Sequence, residues 1–102
     1  MTDEETKTLA FGYAEKLKPV IKNLKETRNK LVVKIQDRLS AVIDEPAGYT
    51  LDFDANQLEE LIRQLREAQH ALIEKVAEHN RHADRAESTR ILTRTVIIVK
   101  KP

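Results

Sequence analysis

Leu58-Glu59-Glu60-Leu61-Ile62-Arg63-Gln64-Leu65-Arg66-Glu67-Ala68-Gln69-His70-Ala71-Leu72-Ile73-Glu74-Lys75-Val76 decides the fold. Apolar residues return every three or four positions, at Leu58, Leu61, Ile62, Leu65, Ala68, Leu72 and Val76, with charges between them. That period is the signature of an amphipathic helix. Ala83 and Ala86 continue the stripe, although beyond His79 it holds only small apolar residues. The spacing predicts one helix over 54–92, about 55 Å long at 1.5 Å per residue. Asp54 with Gln57 three residues on is a capping-box pattern, which places the start of the helix there.

Working backwards, a second apolar stripe runs through Leu17, Val20, Ile21, Leu24, Leu31, Ile35, Leu39 and Val42. At helical spacing these fall within an arc of about 120°. Pro19 lacks a backbone donor and disfavours helical geometry just before it. The expectation is therefore a short helix over 4–17, a kink, and a long helix over 19–43 with Pro19 in its first turn. Between the two long helices, 44–53 contains Pro46 and Gly48 and reads as a turn. At the other end Thr95-Val96-Ile97-Ile98-Val99 is β-branched throughout, and 95–99 reads as a short strand.

Composition agrees with long helices. Of 102 residues, 34% are charged, only two are Gly and three Pro, and there is neither Cys nor Trp. The length suits one domain. Disulfides and thiolate metal sites are excluded for lack of sulfur. The longest aliphatic run, Val96 to Val99, is far short of the ~20 residues of a membrane span. The opening Met-Thr-Asp-Glu-Glu-Thr-Lys is acidic and unlike a signal peptide, so the expected location is cytoplasmic, with no membrane partner.

Two long helices joined by a turn make an antiparallel hairpin. Both stripes are wider than the narrow seam of a coiled coil, so apolar surface is left over after pairing. The fold expected is all-α: a long antiparallel hairpin with a short kinked N-terminal helix and a C-terminal strand, assembling as a homodimeric four-helix bundle. Leu17, Ile21, Leu24, Leu31, Ile35, Leu58, Leu65, Leu72 and Val76 form the expected oligomer core. The first helix, with Leu9, Phe11 and Tyr13, offers an alternative cover within one chain. The tail strand and Tyr49–Phe53 lie at opposite ends of the second helix, so their pairing is expected across subunits. Charge agrees, because 93–102 carries three bases while 44–62 carries six acids and no base.

Four polar residues fall inside the apolar arcs: Arg28, Gln69, His79 and Asn80. A turn near 48–50 puts Arg28 within reach of Gln69. Such residues form a polar core layer that fixes register, while Arg28 also has the fork geometry of an anion site. Glu67-x-x-His70 and His79-x-x-His82 have helical metal-ligand spacing, but the stretch facing the first, Lys30 to Val33, offers no further carboxylate. No cofactor is expected. No catalytic Ser/His/acid set is organised, with Ser40 and Ser88 the only serines, and the chain is read as non-enzymatic.

The leading expectation is a homo-oligomeric helical interaction protein that binds another macromolecule, a protein before other classes, as inhibitor, adaptor or chaperone. Its expected contact residues are Lys18, Lys22, Lys25, Lys30 and Lys34 on the basic helix, Tyr49 and Phe53 at the turn, and Val96 and Ile98 in the tail. One alternative is a dimeric nucleic-acid-binding protein using the basic face of 16–38, although the net charge of +1 and the lack of interleaved aromatics weigh against it. A second is a bundle binding a small anion at the subunit seam near Arg28.

Overall fold

The computed structural model describes residues 2–43, 48–49 and 51–96. Two helices carry the fold, α1 (Asp3–Ser40) and α2 (Ala55–Arg85). They pack antiparallel, as three cross-seam pairs show: Lys7 with Glu87, Tyr13 with His82, and Arg28 with Gln69. The described residues contain no strand, and none of their helices is long and apolar enough to cross a membrane.

α1 begins at Thr2, whose hydroxyl accepts the Glu5 N–H at 3.2 Å. Asp3, Glu4 and Glu5 fill the first turn, where carboxylates complement the helix dipole. The expected break at Pro19 is absent, and α1 is one helix of 38 residues. Pro19 and Glu15 are both exposed. The carbonyl freed by the missing proline N–H therefore lies on the wet side of the helix, where water satisfies it and the core arc is undisturbed. The C-terminal end falls at Ser40, capped by Ala41, rather than at 43.

α2 starts where the capping pattern placed it. The Asp54 carboxylate accepts the Gln57 N–H at 3.1 Å. Its end differs from expectation: the helix stops at Arg85, not near 92. Glu87 has φ of 54°, in the left-handed region. The Ser88 N–H reaches back to the Ala83 carbonyl at 2.8 Å and the Glu87 N–H to Asp84 at 3.2 Å. This paired return is a Schellman motif with glutamate where glycine is usual. The Lys7–Glu87 and Arg90–Asp84 ion pairs, each 3.1 Å, flank it. The chain then doubles back, and residues 91–96 lie against the groove between the helices.

The described tail thus runs back along α2 as far as the stretch of groove that Gln69 lines. Thr95 and Val96 are not in a strand. Ile97, Ile98 and Val99, the rest of the expected strand, lie outside the described residues, as do residues 44–47 and 50 of the expected turn.

The core is thin. Among described residues the buried apolar side chains are Ala10, Ala14, Ile21, Leu31 and Ala83. Small residues cluster where the start of α1 meets the end of α2, so the helices approach closely there. Ile21 and Leu31 of the expected oligomer core are buried within the one chain, while Leu17, Leu24, Ile35, Leu58, Leu65, Leu72 and Val76 are half-buried. The molecule measures 72 × 30 × 17 Å with a radius of gyration of 20.0 Å, against ~13 Å for a compact chain of this length. A rod one helix thick has no interior in which to hide two wide apolar stripes.

Candidate functional site

The seam between α1 and α2 carries two polar stations. At the first, midway along, the Arg28 guanidinium donates to the Gln69 side-chain carbonyl at 2.9 Å and to that of Asn29 at 2.7 Å. Arg28 is half-buried and Gln69 exposed. Both acceptors are neutral amides, and among the described residues Arg28 has no carboxylate partner.

The second station is His79 with Asn80, buried at 0% and 7% relative exposure. The Asn80 side chain binds one residue of the returning tail through its main chain. Its carbonyl accepts the Ile91 N–H at 2.8 Å, and its amide nitrogen donates to the Ile91 carbonyl at 3.1 Å. These two bonds fix which end of the amide is oxygen. The 3.0 Å contact from His79 Nδ1 to that oxygen therefore requires the proton to sit on Nδ1. Nε2 has no hydrogen-bond partner among the described residues. The four polar residues expected as one layer thus occupy two places: Arg28 and Gln69 bridge the seam, while His79 and Asn80 hold the tail.

Between and beyond these stations the seam opens as a groove. One stretch of about 850 Å³ runs from Asn80 to Arg28 and Gln69, lined by Ile21, Leu72, Val76 and the tail residues Ile91 to Val96. A second, about 580 Å³, continues past the bridge and is lined by Val32, Leu65, Arg66 and Ile73. Ile73, at 57% exposure, lines both stretches from α2.

The other expected contact residues lie apart from this groove or on its edge. Lys18, Lys22, Lys25, Lys30 and Lys34 are exposed along α1. Lys18 pairs with Glu15 at 2.7 Å, and Lys25 lines the groove. Tyr49 and Phe53 are exposed near the turn. Val96 is exposed at the groove, and Ile98 lies outside the described residues.

The histidine spacings do not converge on a common point. Glu67 is bonded to Arg63, and His70 contacts Glu74 at 3.3 Å. His79 is committed to Asn80, and the His82 ring lies 5.2 Å from that of Tyr13. Among the described residues no group of three or more His, Asp or Glu gathers as a metal site. The Arg63 guanidinium lies between Glu60 and Glu67, and its hydrogen bond holds the Glu60 carboxyl down from 4.5 to about 2. This pair is on the surface, where its stabilising effect is screened.

Sequence reasoning missed the grip of Asn80 on Ile91, because it continued α2 through the residues that turn back. A signal was present: after Ala86 the run Glu87-Ser88-Thr89 has no apolar residue and two weak helix formers. Comparison with family profiles, curated proteins and solved structures finds no match for this chain.

Proposed function

We propose that this protein is a non-enzymatic, homo-oligomeric helical interaction protein, a dimeric four-helix bundle that binds another protein as inhibitor, adaptor or chaperone. One observation carries the reading. A two-helix rod leaves Leu9, Phe11, Val20, Val33, Leu39 and Ile73 exposed, and fully burying a side chain of this kind is worth ~1.5–3 kcal/mol. At helical spacing Leu9 and Val20 fall on one flank of α1, Phe11 and Val33 on the other, so both flanks of the rod offer apolar contacts to a partner. A second hairpin laid against the first covers the remaining ridges in the geometry of a bundle. Tyr49 and Phe53, exposed near the turn, are suited to anchor the second partner, because aromatics dominate binding hot spots.

The test is affinity capture from the native host, comparing the wild-type chain with a Tyr49→Ala/Phe53→Ala variant, with and without nuclease. The reading expects a protein retained through nuclease treatment and lost in the variant. A nuclease-sensitive partner, lost instead on Lys30→Glu/Lys34→Glu, supports the nucleic-acid alternative. Absence of any partner above control refutes both.

Arg28 favours a second reading. Its cation faces only neutral amides among the described residues, so a carboxylate or phosphate at the seam would meet an unneutralised fork. Calorimetry with anionic metabolites, repeated on Arg28→Leu, tests it. Heat of binding that vanishes in the variant supports an anion site. A changed oligomer with no binding in either form supports a structural role.

A further inference from the structure

Asn80 holds out to Ile91 what a neighbouring strand would: one acceptor and one donor, aimed at the N–H and C=O of a single residue. Such a grip reads main chain and is indifferent to side chains. We propose that the α1–α2 groove is a binding site for an extended, β-branched segment held through its backbone. Its resident occupant is this chain's own C-terminus, with Val96-Ile97-Ile98-Val99 lying along the groove past the Arg28–Gln69 bridge. The assignment concerns one chain, and it stands or falls independently of whether copies pair.

Register supports it. From Ile91 to Val96 an extended chain advances ~16 Å at about 3.3 Å per residue. Along α2 that is about eleven residues at 1.5 Å each, which leads from Asn80 to Gln69. Val96 and Gln69 do line the same stretch of groove. Two residues further, the same advance would bring Ile98 to the level of Leu65, where the second stretch is walled by Val32, Leu65 and Ile73. The run Val96 to Val99 is apolar, and so are Val32, Leu65 and Ile73 on the wall of the second stretch. The same register would carry Lys100 and Lys101 towards the block 44–62, which has six acids and no base.

The chain contains no cysteine, so engineered pairs can report the placement. Ile98→Cys is combined with Val32→Cys on the groove wall, or with Val33→Cys, whose position is exposed and outside the groove lining. Under mild oxidation at micromolar protein, the Val32 pair is expected to close within the chain at least about tenfold faster than the Val33 pair, because misdirected Cβ vectors cannot be bridged. A tethered tail at millimolar effective concentration also outcompetes a second copy. Adding Asn80→Ala to the Val32 pair is expected to slow closure about tenfold, from loss of two hydrogen bonds, with circular dichroism confirming intact helices. Equal rates for the two pairs, no closure, a predominantly interchain disulfide, or indifference to Asn80→Ala would each overturn the proposal. An interchain product would at the same time show that copies associate.

Discussion

Asn80→Ala probes the residue that ties the returning tail to α2. The carboxamide makes two bonds to the Ile91 main chain, 2.8 and 3.1 Å, and one to His79 Nδ1 at 3.0 Å. A typical hydrogen bond contributes ~0.5–1.5 kcal/mol net, so losing the two to Ile91 removes ~1–3 kcal/mol from the attachment of the tail. Local opening becomes ~5–150-fold easier. The third loss acts on the whole fold. His79 is fully buried, and its Nδ1–H left without an acceptor costs a further ~1–3 kcal/mol unless the ring can turn to a new one. Amide hydrogen exchange followed by NMR separates the two effects. Protection at Ile91 should collapse by the local factor, while amides in mid-α2 such as Leu72 change only as far as global stability does. The reasoning is refuted if the Ile91 amide exchanges at the free-chain rate in the wild type, or is equally protected in the variant.

Three further outcomes follow from local geometry. A Cβ built on Gly12 meets nothing within 4 Å, so Gly12→Ala should stabilise α1 by about 0.5–1 kcal/mol in a denaturant melt; destabilisation would mean that something packs against that position. Glu87→Gly relieves a left-handed glutamate, worth ~1–2 kcal/mol, and gives up only an exposed ion pair with Lys7, so urea unfolding should show a net gain of under ~2 kcal/mol. The Glu60 carboxyl, held at about 2 first by Arg63 and then by the Gln64 side-chain amide, should rise towards 4.5 in Arg63→Ala by carbon NMR, stopping short of it because Gln64 still donates. Since its folded value is depressed, the helix support from this pair is complete above pH 4.5 and fades as pH falls towards 2; an unchanged Glu60 titration in the variant would discount the pairing.

Both helices were legible from period alone, and the start of α2 from Asp54 and Gln57, because apolar spacing and capping are local properties. Pro19 misled because the cost of proline depends on which side of the helix it occupies. The sequence does place it opposite Leu17, Ile21 and Leu24, so water can satisfy the freed carbonyl. The end of α2 was illegible for a different reason. Its Schellman motif has Glu87 where glycine would announce it, and the Lys7–Glu87 ion pair beside it becomes visible only once α1 is brought across the seam. Asn80 stood out as a polar residue within an apolar arc. Its partner, however, is a main-chain group eleven residues on, which no periodicity reveals.

The central claim is that the apolar ridges of a rod 17 Å across at its narrowest exceed what one chain conceals. Sedimentation equilibrium over low to high micromolar concentration tests it most directly. The account predicts reversible association to twice the chain mass, with a melting temperature that rises with concentration. A cooperatively folding monomer across the whole range, melting at one temperature, would contradict it.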